Sequence, residues 1–184
     1  MKRVIFQMSV SVDGYVEGPN QELDWHNVDE EFNAYAAATL KKSDVLIMGR
    51  KTYELMAGYW PNATDNDPDV TFQMNDTPKL VFSRTLKSVE WKTARLATGS
   101  IAEEVARLKS TPGDGFLWVG GSNLASAFLE EGLIDEVRII LTPVLVGEGH
   151  TVFGDIKRRH QLKFLSTKSF ESGSVLVIYE PVRH

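Results

Sequence analysis

Glycine stands beside hydroxyl and guanidinium side chains in the segment Gly49-Arg50-Lys51-Thr52, a combination suited to binding phosphate. Glycine lets the backbone approach a ligand closely, and a helix that begins after it presents free N–H groups to an anion. The Arg50 guanidinium supplies a planar set of donors for phosphate, and Thr52 supplies a hydroxyl. A glycine turn followed by solvated basic residues explains the same pattern equally well.

Two further segments have this character. Ser83 and Arg84 add a second hydroxyl and guanidinium, and Gly120-Gly121-Ser122-Asn123 places two glycines ahead of a helix. Each by itself fits an ordinary strand end or tight turn, although paired glycines also permit close approach to a pyrophosphate. The three together favour a dinucleotide, and the two arginines favour one with an extra 2′-phosphate. The sequence lacks the G-x-G-x-x-G fingerprint, which argues against a Rossmann domain.

Hydrophobic patterning predicts the elements that position these segments. The predicted strands are residues 3–10, 45–48, 79–83, 116–119, 136–142, 162–170 and 174–179. The predicted helices are residues 29–42, 51–57 and 122–131, with another that begins after the capping residue Ser100. This alternation predicts an α/β fold with a mostly parallel central sheet, helices on both faces and a C-terminal antiparallel hairpin at the sheet edge. The three segments then share one rim, at the C-terminal ends of the strands.

Loops are predicted in two other places. Asp13-Gly14 predicts a turn after the first strand, and the loop through residues 19–25 would cover a ligand at the rim. By residue type alone, Trp25 is a packing residue and His26 a surface residue. Residues 61–69, polar and acidic with two prolines, predict a surface loop.

Composition and charge exclude several classes of protein. The 184 residues are 42% hydrophobic and 24% charged, which predicts one globular domain over residues 1–184. No cysteine is present, which excludes disulfides and thiol nucleophiles, and the four histidines lack metal-ligand spacing, so no metal is expected. A formal net charge of −5 argues against a nucleic-acid partner. The apolar runs are too short for a membrane span, and we expect a cytoplasmic protein.

Longer stretches of the sequence resemble a known superfamily. Residues 48–54 (MGRKTYE) resemble the cofactor-binding segment of dihydrofolate reductases. Residues 119–136 are similar to the C-terminal reductase domain of the bifunctional riboflavin-biosynthesis deaminase-reductase, and residues 11–14 and 142–149 follow the same pattern. The chain is thus identified as a stand-alone member of the dihydrofolate-reductase-like superfamily, nearest to the riboflavin branch. The resemblance implies the three-layer fold of that superfamily.

The resemblance also implies that the dinucleotide is NADPH. Nine residues are then expected to contact it: Gly49, Arg50, Thr52, Ser83, Arg84, Gly120, Gly121, Ser122 and Asn123. Ser83 and Arg84 would hold the 2′-phosphate. Dihydrofolate reductases have a cis peptide between their paired glycines, so the same is expected for Gly120–Gly121 here.

Substrate residues follow from the resemblance as well. Glu31 falls where dihydrofolate reductases keep the carboxylate that binds the pterin and assists its protonation. The alignment needs a two-residue insertion, which leaves Glu30 and Asp29 as alternatives. Asp13, whose loop would flank the nicotinamide, is the second catalytic candidate, and Trp25 is the candidate for substrate contact.

These features predict an NADPH-dependent reductase that acts on a small heterocycle, either a pteridine or a ribosylaminopyrimidine. The Asp-Asp-Pro motif of the riboflavin branch is replaced here by residues 57–61 (AGYWP), which argues against the riboflavin substrate. An NADPH-binding module or sensor without catalysis and an antifolate-binding protein are the alternatives. A homodimer is expected, with residues 175–178 as the sheet edge that would pair.

Overall fold

A computed structural model describes residues 2–183, which are built around a central eight-stranded sheet. The strands of the chain are β1 (Val4–Ser11), β2 (Tyr15–Glu17), β3 (Ser43–Gly49), β4 (Lys79–Phe82), β5 (Ala94–Leu96), β6 (Phe116–Gly120), β7 (Glu136–Thr142), β8 (His150–Thr151), β9 (Leu162–Ser169) and β10 (Val175–Pro181). The central sheet has the order β5-β4-β3-β6-β1-β7-β10-β9, and β2 pairs with β8 in a separate ladder.

Helices cover both faces of the central sheet. They are α1 (Glu30–Lys41), α2 (Arg50–Tyr59), α3 (Pro68–Asp76), α4 (Ile101–Ser110) and α5 (Ser122–Glu130), with a 3-10 turn at Trp60–Asn62. Within residues 2–183, none of them is long and apolar enough to cross a membrane.

Alternating side chains of the strands build a separate core on each face of the sheet, and a third, smaller cluster contains Ile140, Phe170 and Leu176. Leu46 packs with α1, α2 and α3 on one face, whereas the adjacent Ile47 packs with α4 and α5 on the other. The opposite orientation of neighbouring residues follows from the two-residue period of a strand. Because both faces are buried, β3 is apolar throughout its centre, which is why its sequence predicts a strand without alternation.

The predicted fold class is confirmed. Strands β1 and β3 to β7 pair in parallel, and β10 runs antiparallel to both β7 and β9. Gly173 has a φ of +87° in the turn between β9 and β10, a conformation that suits glycine. The predicted cap of α4 is present as a capping box between Ser100 and Glu103.

One helix was not predicted. Helix α3 begins where the predicted loop of residues 61–69 ends. Asp67 accepts hydrogen bonds from the N–H groups of Asp69 and Val70, and Pro68 occupies the first turn. These are ordinary helix-start signals, but few apolar residues follow to mark a buried face. Strands β2, β5 and β8 are two or three residues long, too short for a pattern to appear.

The expected sheet edge is wrong. Residues 175–178 lie in β10, which is hydrogen-bonded to a strand on each side. Strand β9 forms the edge instead, although its sequence is less apolar. An internal position explains why β10 is the more hydrophobic of the two.

Candidate functional site

The register of the sheet brings the three candidate phosphate-binding segments, residues 49–52, 83–84 and 120–123, side by side at one rim. Gly49, the last residue of β3, is paired with Phe82, the last residue of β4. On the other side of β3, Met48 is paired with Gly120 at the end of β6. The segments that begin at Arg50, Ser83 and Gly121 therefore leave adjacent strands at the same height.

Two of the five described helices begin without a side-chain cap, and both begin at this rim. The first turns of α1, α3 and α4 are capped by Asp29, Asp67 and Ser100 and contain acidic residues. Helices α2 and α5 instead follow Gly49 and Gly121, with neither a capping side chain nor an acidic residue in the first turn. Their N–H groups and positive dipole ends are uncompensated, which suits an anion.

Thr52 and Gly121 join these two helix starts. A Cβ atom built on Gly121 would lie 2.5 Å from the Thr52 Oγ1 atom, and Gly121 has a φ of +90°. Any larger residue would both clash with the hydroxyl and strain the backbone. The Thr52 hydroxyl therefore lies directly against the glycine backbone.

The expected cis peptide between Gly120 and Gly121 is wrong. All peptide bonds in residues 2–183 are trans. The positive φ of Gly121 directs the chain from β6 into α5.

The two candidate arginines are accessible. Arg50 lies 3.2 Å from each carboxylate oxygen of Glu54, in a half-exposed pair of the kind that contributes little stability and releases its members readily. Arg84 is exposed and forms no ion pair within residues 2–183. The Ser83 hydroxyl accepts a hydrogen bond from the Leu86 N–H at 3.0 Å, which orders the turn that carries Arg84.

Ser122 and Asn123 form the first turn of α5. Asn123 is exposed and Ser122 is half-buried. Neither side chain forms a hydrogen bond within the described part of the chain, so both can serve a ligand.

Asp13 ties two rim loops together. Its carboxylate accepts hydrogen bonds from the Ser11 hydroxyl at 2.6 Å, the Gly147 N–H at 2.8 Å and the Val146 N–H at 3.1 Å. The hydrogen bond from Ser11, followed by those from the two amides, lowers the pKa of Asp13 to about 2. An ionised carboxylate with these partners is suited to position the loops, and it is poorly suited to donate a proton at neutral pH.

Glu31 links the start of α1 to the β9–β10 hairpin. Its carboxylate lies 2.8 Å from the Lys168 Nζ atom and accepts a hydrogen bond from the Glu171 N–H at 2.9 Å. Lys168 lowers the pKa of Glu31 below its ordinary value, so the group is ionised at neutral pH. Of the alternatives, Asp29 caps α1 through the Phe32 N–H, and Glu30 is exposed, with no hydrogen bond or ion pair within residues 2–183.

Trp25 and His26 lie in a loop that rests on the same hairpin. The Trp25 indole N–H donates to the Glu22 carbonyl at 3.1 Å, and the ring packs edge-on against His26. Asn27 donates to the Ser172 carbonyl at 2.8 Å. His26 is half-buried rather than a surface residue, and burial lowers its pKa. Local packing thus accounts for the Trp25 contacts.

The sequence profile of the RibD C-terminal domain matches residues 2–176. The chain belongs to this family. The uncharacterized protein YyaP of Bacillus subtilis is 35% identical over 182 residues, which cover 97% of this chain and 94% of YyaP. A candidate riboflavin biosynthesis protein from Shewanella sp. PV-4 superimposes with a TM-score of 0.78 and 26% identity, over 98% of this chain and 99% of its own.

The likeness extends to a dihydrofolate reductase. The enzyme from Enterococcus faecalis, solved with NADP(H), superimposes with a TM-score of 0.66 and 16% identity over 97% of this chain and 96% of its own. At that identity the similarity shows the fold alone. It confirms that this RibD C-terminal domain has the dihydrofolate-reductase-like fold.

Sequence reasoning missed the groups that hold the two catalytic candidates. In this RibD C-terminal domain, Lys168 and the Glu171 amide hold Glu31, and the Val146 and Gly147 amides hold Asp13. Gly147 carries a signal, since glycine in a predicted loop indicates an unusual backbone, and its φ is +85°. Lys168 carries none, because an exposed lysine on a strand is unremarkable by sequence.

Proposed function

We propose that this protein is an NADPH-dependent reductase that transfers hydride to a pteridine or ribosylaminopyrimidine-type substrate. The observation that carries the proposal is the pair of uncapped helix starts at Gly49 and Gly121, joined by Thr52. The protein caps its other helices with side chains, and these two leave their N–H groups free at one point of the rim.

The residues at the rim fit the phosphates of the cofactor. The N–H groups of α2 and α5 and the Thr52 hydroxyl are donors, as a pyrophosphate requires. Gly121 leaves room where a side chain would fill the cradle. Arg84, together with the Ser83 hydroxyl, can hold a 2′-phosphate, since a guanidinium presents two parallel donors to a phosphate.

The remaining rim residues would place the substrate. When bound, NADPH supplies the hydride, and the protein supplies binding, orientation and exclusion of water. Asp13 holds the loops after β1 and β7 in place beside the central strands. A carboxylate at the start of α1 would accept N–H groups of the heterocycle, with Glu31 and Glu30 as the two candidates.

The engagement of Glu31 by Lys168 favours one second candidate function. A carboxylate that is already paired contributes less to catalysis, so an NADPH-binding module with little turnover would have this arrangement. Binding of NADPH without turnover of either a pteridine or a ribosylaminopyrimidine would identify the protein as such a module.

The proposal is tested by titration with NADPH and with NADH, followed by quenching of tryptophan fluorescence. We expect NADPH to bind at least tenfold more tightly, a difference of about 1.4 kcal/mol. Arg84→Gln should abolish the preference by weakening NADPH alone. Arg158→Gln, which removes an exposed arginine paired with Glu130 at the end of α5 opposite the rim, is the matched control. Failure of the wild type to bind either nucleotide would disprove the proposed reductase function.

A glycine variant separately tests the proposed phosphate cradle, which consists of the two helix starts at Gly49 and Gly121 and the Thr52 hydroxyl. Gly121→Ala should weaken NADPH binding at least tenfold, because the new methyl group meets the Thr52 hydroxyl and the positive φ is strained. Gly58→Ala is the control, since Gly58 lies in α2 with open space around it. Equal NADPH affinity in both variants would exclude the cradle as the phosphate site.

A further inference from the structure

A cavity of about 560 Å³ lies between α1 and the sheet, at the edge opposite the cofactor rim. Its walls include Ile5, Phe116 and Ile178 from the sheet and Tyr35 and Ala38 from α1. The guanidinium groups of Arg3 and Arg138 also line it. The volume is in the range of small-molecule sites, which are mostly apolar with a few placed polar groups.

The cavity is separate from the rim. Arg3 precedes β1 and Ser11 ends it, so the two ends of the strand are roughly 26 Å apart. Tyr35 marks the end of the cavity that points toward the rim, where its hydroxyl donates to the Gln7 Oε1 atom at 2.7 Å. A ligand held at Arg3 would therefore not reach the phosphate segments.

One buried carboxylate holds both arginines. Glu136 has a side chain that is 5% exposed; it lies 2.8 Å from the Arg3 Nη2 atom, and its other oxygen accepts from the Arg138 Nε atom. Arg138 is itself only 18% exposed and lies over the Phe116 ring, 5.4 Å from its centroid. Two guanidiniums share one carboxylate, and Lys2, Lys42 and Asp114 also line the cavity, so its charged groups carry a net positive charge.

This arrangement leaves donors for a ligand. Arg138 engages Glu136 through Nε and also lies near enough to the Tyr35 hydroxyl to interact with it, which still leaves guanidinium donors for another acceptor. Arginine held by packing and by an ion pair loses little further conformational freedom when it binds an oxyanion. The aromatic and aliphatic walls beside it suit a flat apolar group.

We propose that this cavity binds a small organic oxyanion, a carboxylate or phosphate attached to a flat apolar body. The oxyanion lies at Arg3 and Arg138, and the body lies between Phe116, Ile5 and the α1 side chains. The site is a second ligand site of the protein, independent of the reductase chemistry at the rim.

The test uses phenyl phosphate and benzoate as probes and benzyl alcohol as the neutral control, in calorimetric titrations of the whole chain. We expect at least one of the two anions to bind and the alcohol not to. If only phenyl phosphate binds, the ligand class is a phosphate; if only benzoate binds, it is a carboxylate; and if both bind, the cavity accepts either oxyanion.

Variants locate the bound probe. Arg138→Gln should weaken binding at least tenfold, and Ala38→Phe, at an exposed position of α1 on the cavity wall, should do so by filling the space. Arg158→Gln should change the affinity less than twofold. If Arg138→Gln does not fold, Ala38→Phe shows by itself whether the probe binds in the cavity, because this substitution leaves the ion pairs of Glu136 intact. The proposal is overturned if neither anion binds, or if binding depends on Arg84 and not on Ala38.

Discussion

Two carboxylates at the start of α1 differ sharply in what they contact. Glu31 is held by Lys168 and by the Glu171 amide, whereas neighbouring Glu30 is exposed and has no partner among the described residues. Each Glu31 oxygen already has one partner and has a further acceptor position, so a substrate can bind Glu31 beside Lys168 or bind the unpartnered Glu30 instead. The geometry makes the two possibilities experimentally separable.

Replacing each carboxylate by its amide distinguishes a role of Glu31 from a role of Glu30. Glu31→Gln should lower turnover of dihydrofolate or a ribosylaminopyrimidine at least tenfold and leave the NADPH affinity near that of the wild type, because the amide cannot accept two N–H groups as a carboxylate can. Glu30→Gln is the matched variant, one residue away and equally polar. Unchanged turnover in Glu31→Gln would remove Glu31 from the mechanism, and a loss confined to Glu30→Gln would assign the role to Glu30.

A buried lysine, the first residue of β4, contacts the C-terminal end of helix α3. Lys79, which is 1% exposed, donates to the Thr77 carbonyl at 2.7 Å and to the Asn75 carbonyl at 3.1 Å, and its ammonium lies over the Trp91 ring. These carbonyls belong to the C-terminal end of the helix, where a positive charge is favourable. Burial nevertheless lowers the pKa of Lys79 to about 8.

The lowered pKa predicts a stability change at alkaline pH. Between about pH 8 and 10.5 the unfolded chain keeps the Lys79 proton that the folded chain loses, so the Lys79 contribution to the unfolding free energy rises with pH in this window. The slope is at most about 1.4 kcal/mol per pH unit. Denaturant unfolding should therefore show the difference between wild type and Lys79→Met growing in favour of the wild type. Lys87→Met, at an exposed lysine that takes no part in the Lys79 pKa shift, should show no such trend, and a flat difference for Lys79→Met would contradict the prediction.

Strand β9 leaves the sheet with a long open edge. Seven of its eight residues are exposed, including Phe164 at 57% and Leu165 at 40%. Exposed edge strands with apolar side chains invite pairing with another chain, and proteins usually cover them. We propose that the expected homodimer pairs through this edge, with β9 in the place first given to β10.

Sedimentation velocity tests this assembly. The wild type should sediment at twice the monomer mass at micromolar concentration, and Phe164→Glu should shift it toward the monomer by placing a charge at the covered edge. Phe72→Glu alters another exposed phenylalanine, on α3, and should leave the dimer intact. A wild-type monomer, or equal dissociation in the two variants, would exclude β9 as the interface.

Much of this protein is determined by its sequence alone, because the relevant signals are local. Apolar runs predict the buried strands, Ser100 with Glu103 predicts a helix cap, and glycines at strand ends predict the phosphate-type segments. Parallel strands that alternate with helices place those segments at one rim without knowledge of a single contact.

The tertiary structure decides what depends on distant partners. Asp13 meets an amide 134 positions away and Glu31 one that is 140 away, and no local pattern encodes such pairings. The position of β9 rather than β10 at the sheet edge is also decided by the tertiary structure. The hydrophobicity of a strand indicates that it is buried, but it does not indicate which neighbouring strand covers it. The charged group beside the cavity likewise forms only in the folded chain, where Glu136 on β7 pairs with Arg3, 133 positions away, as well as with Arg138 on its own strand. Sequence specifies where each backbone segment is apolar or turns, and folding alone specifies which side chains meet.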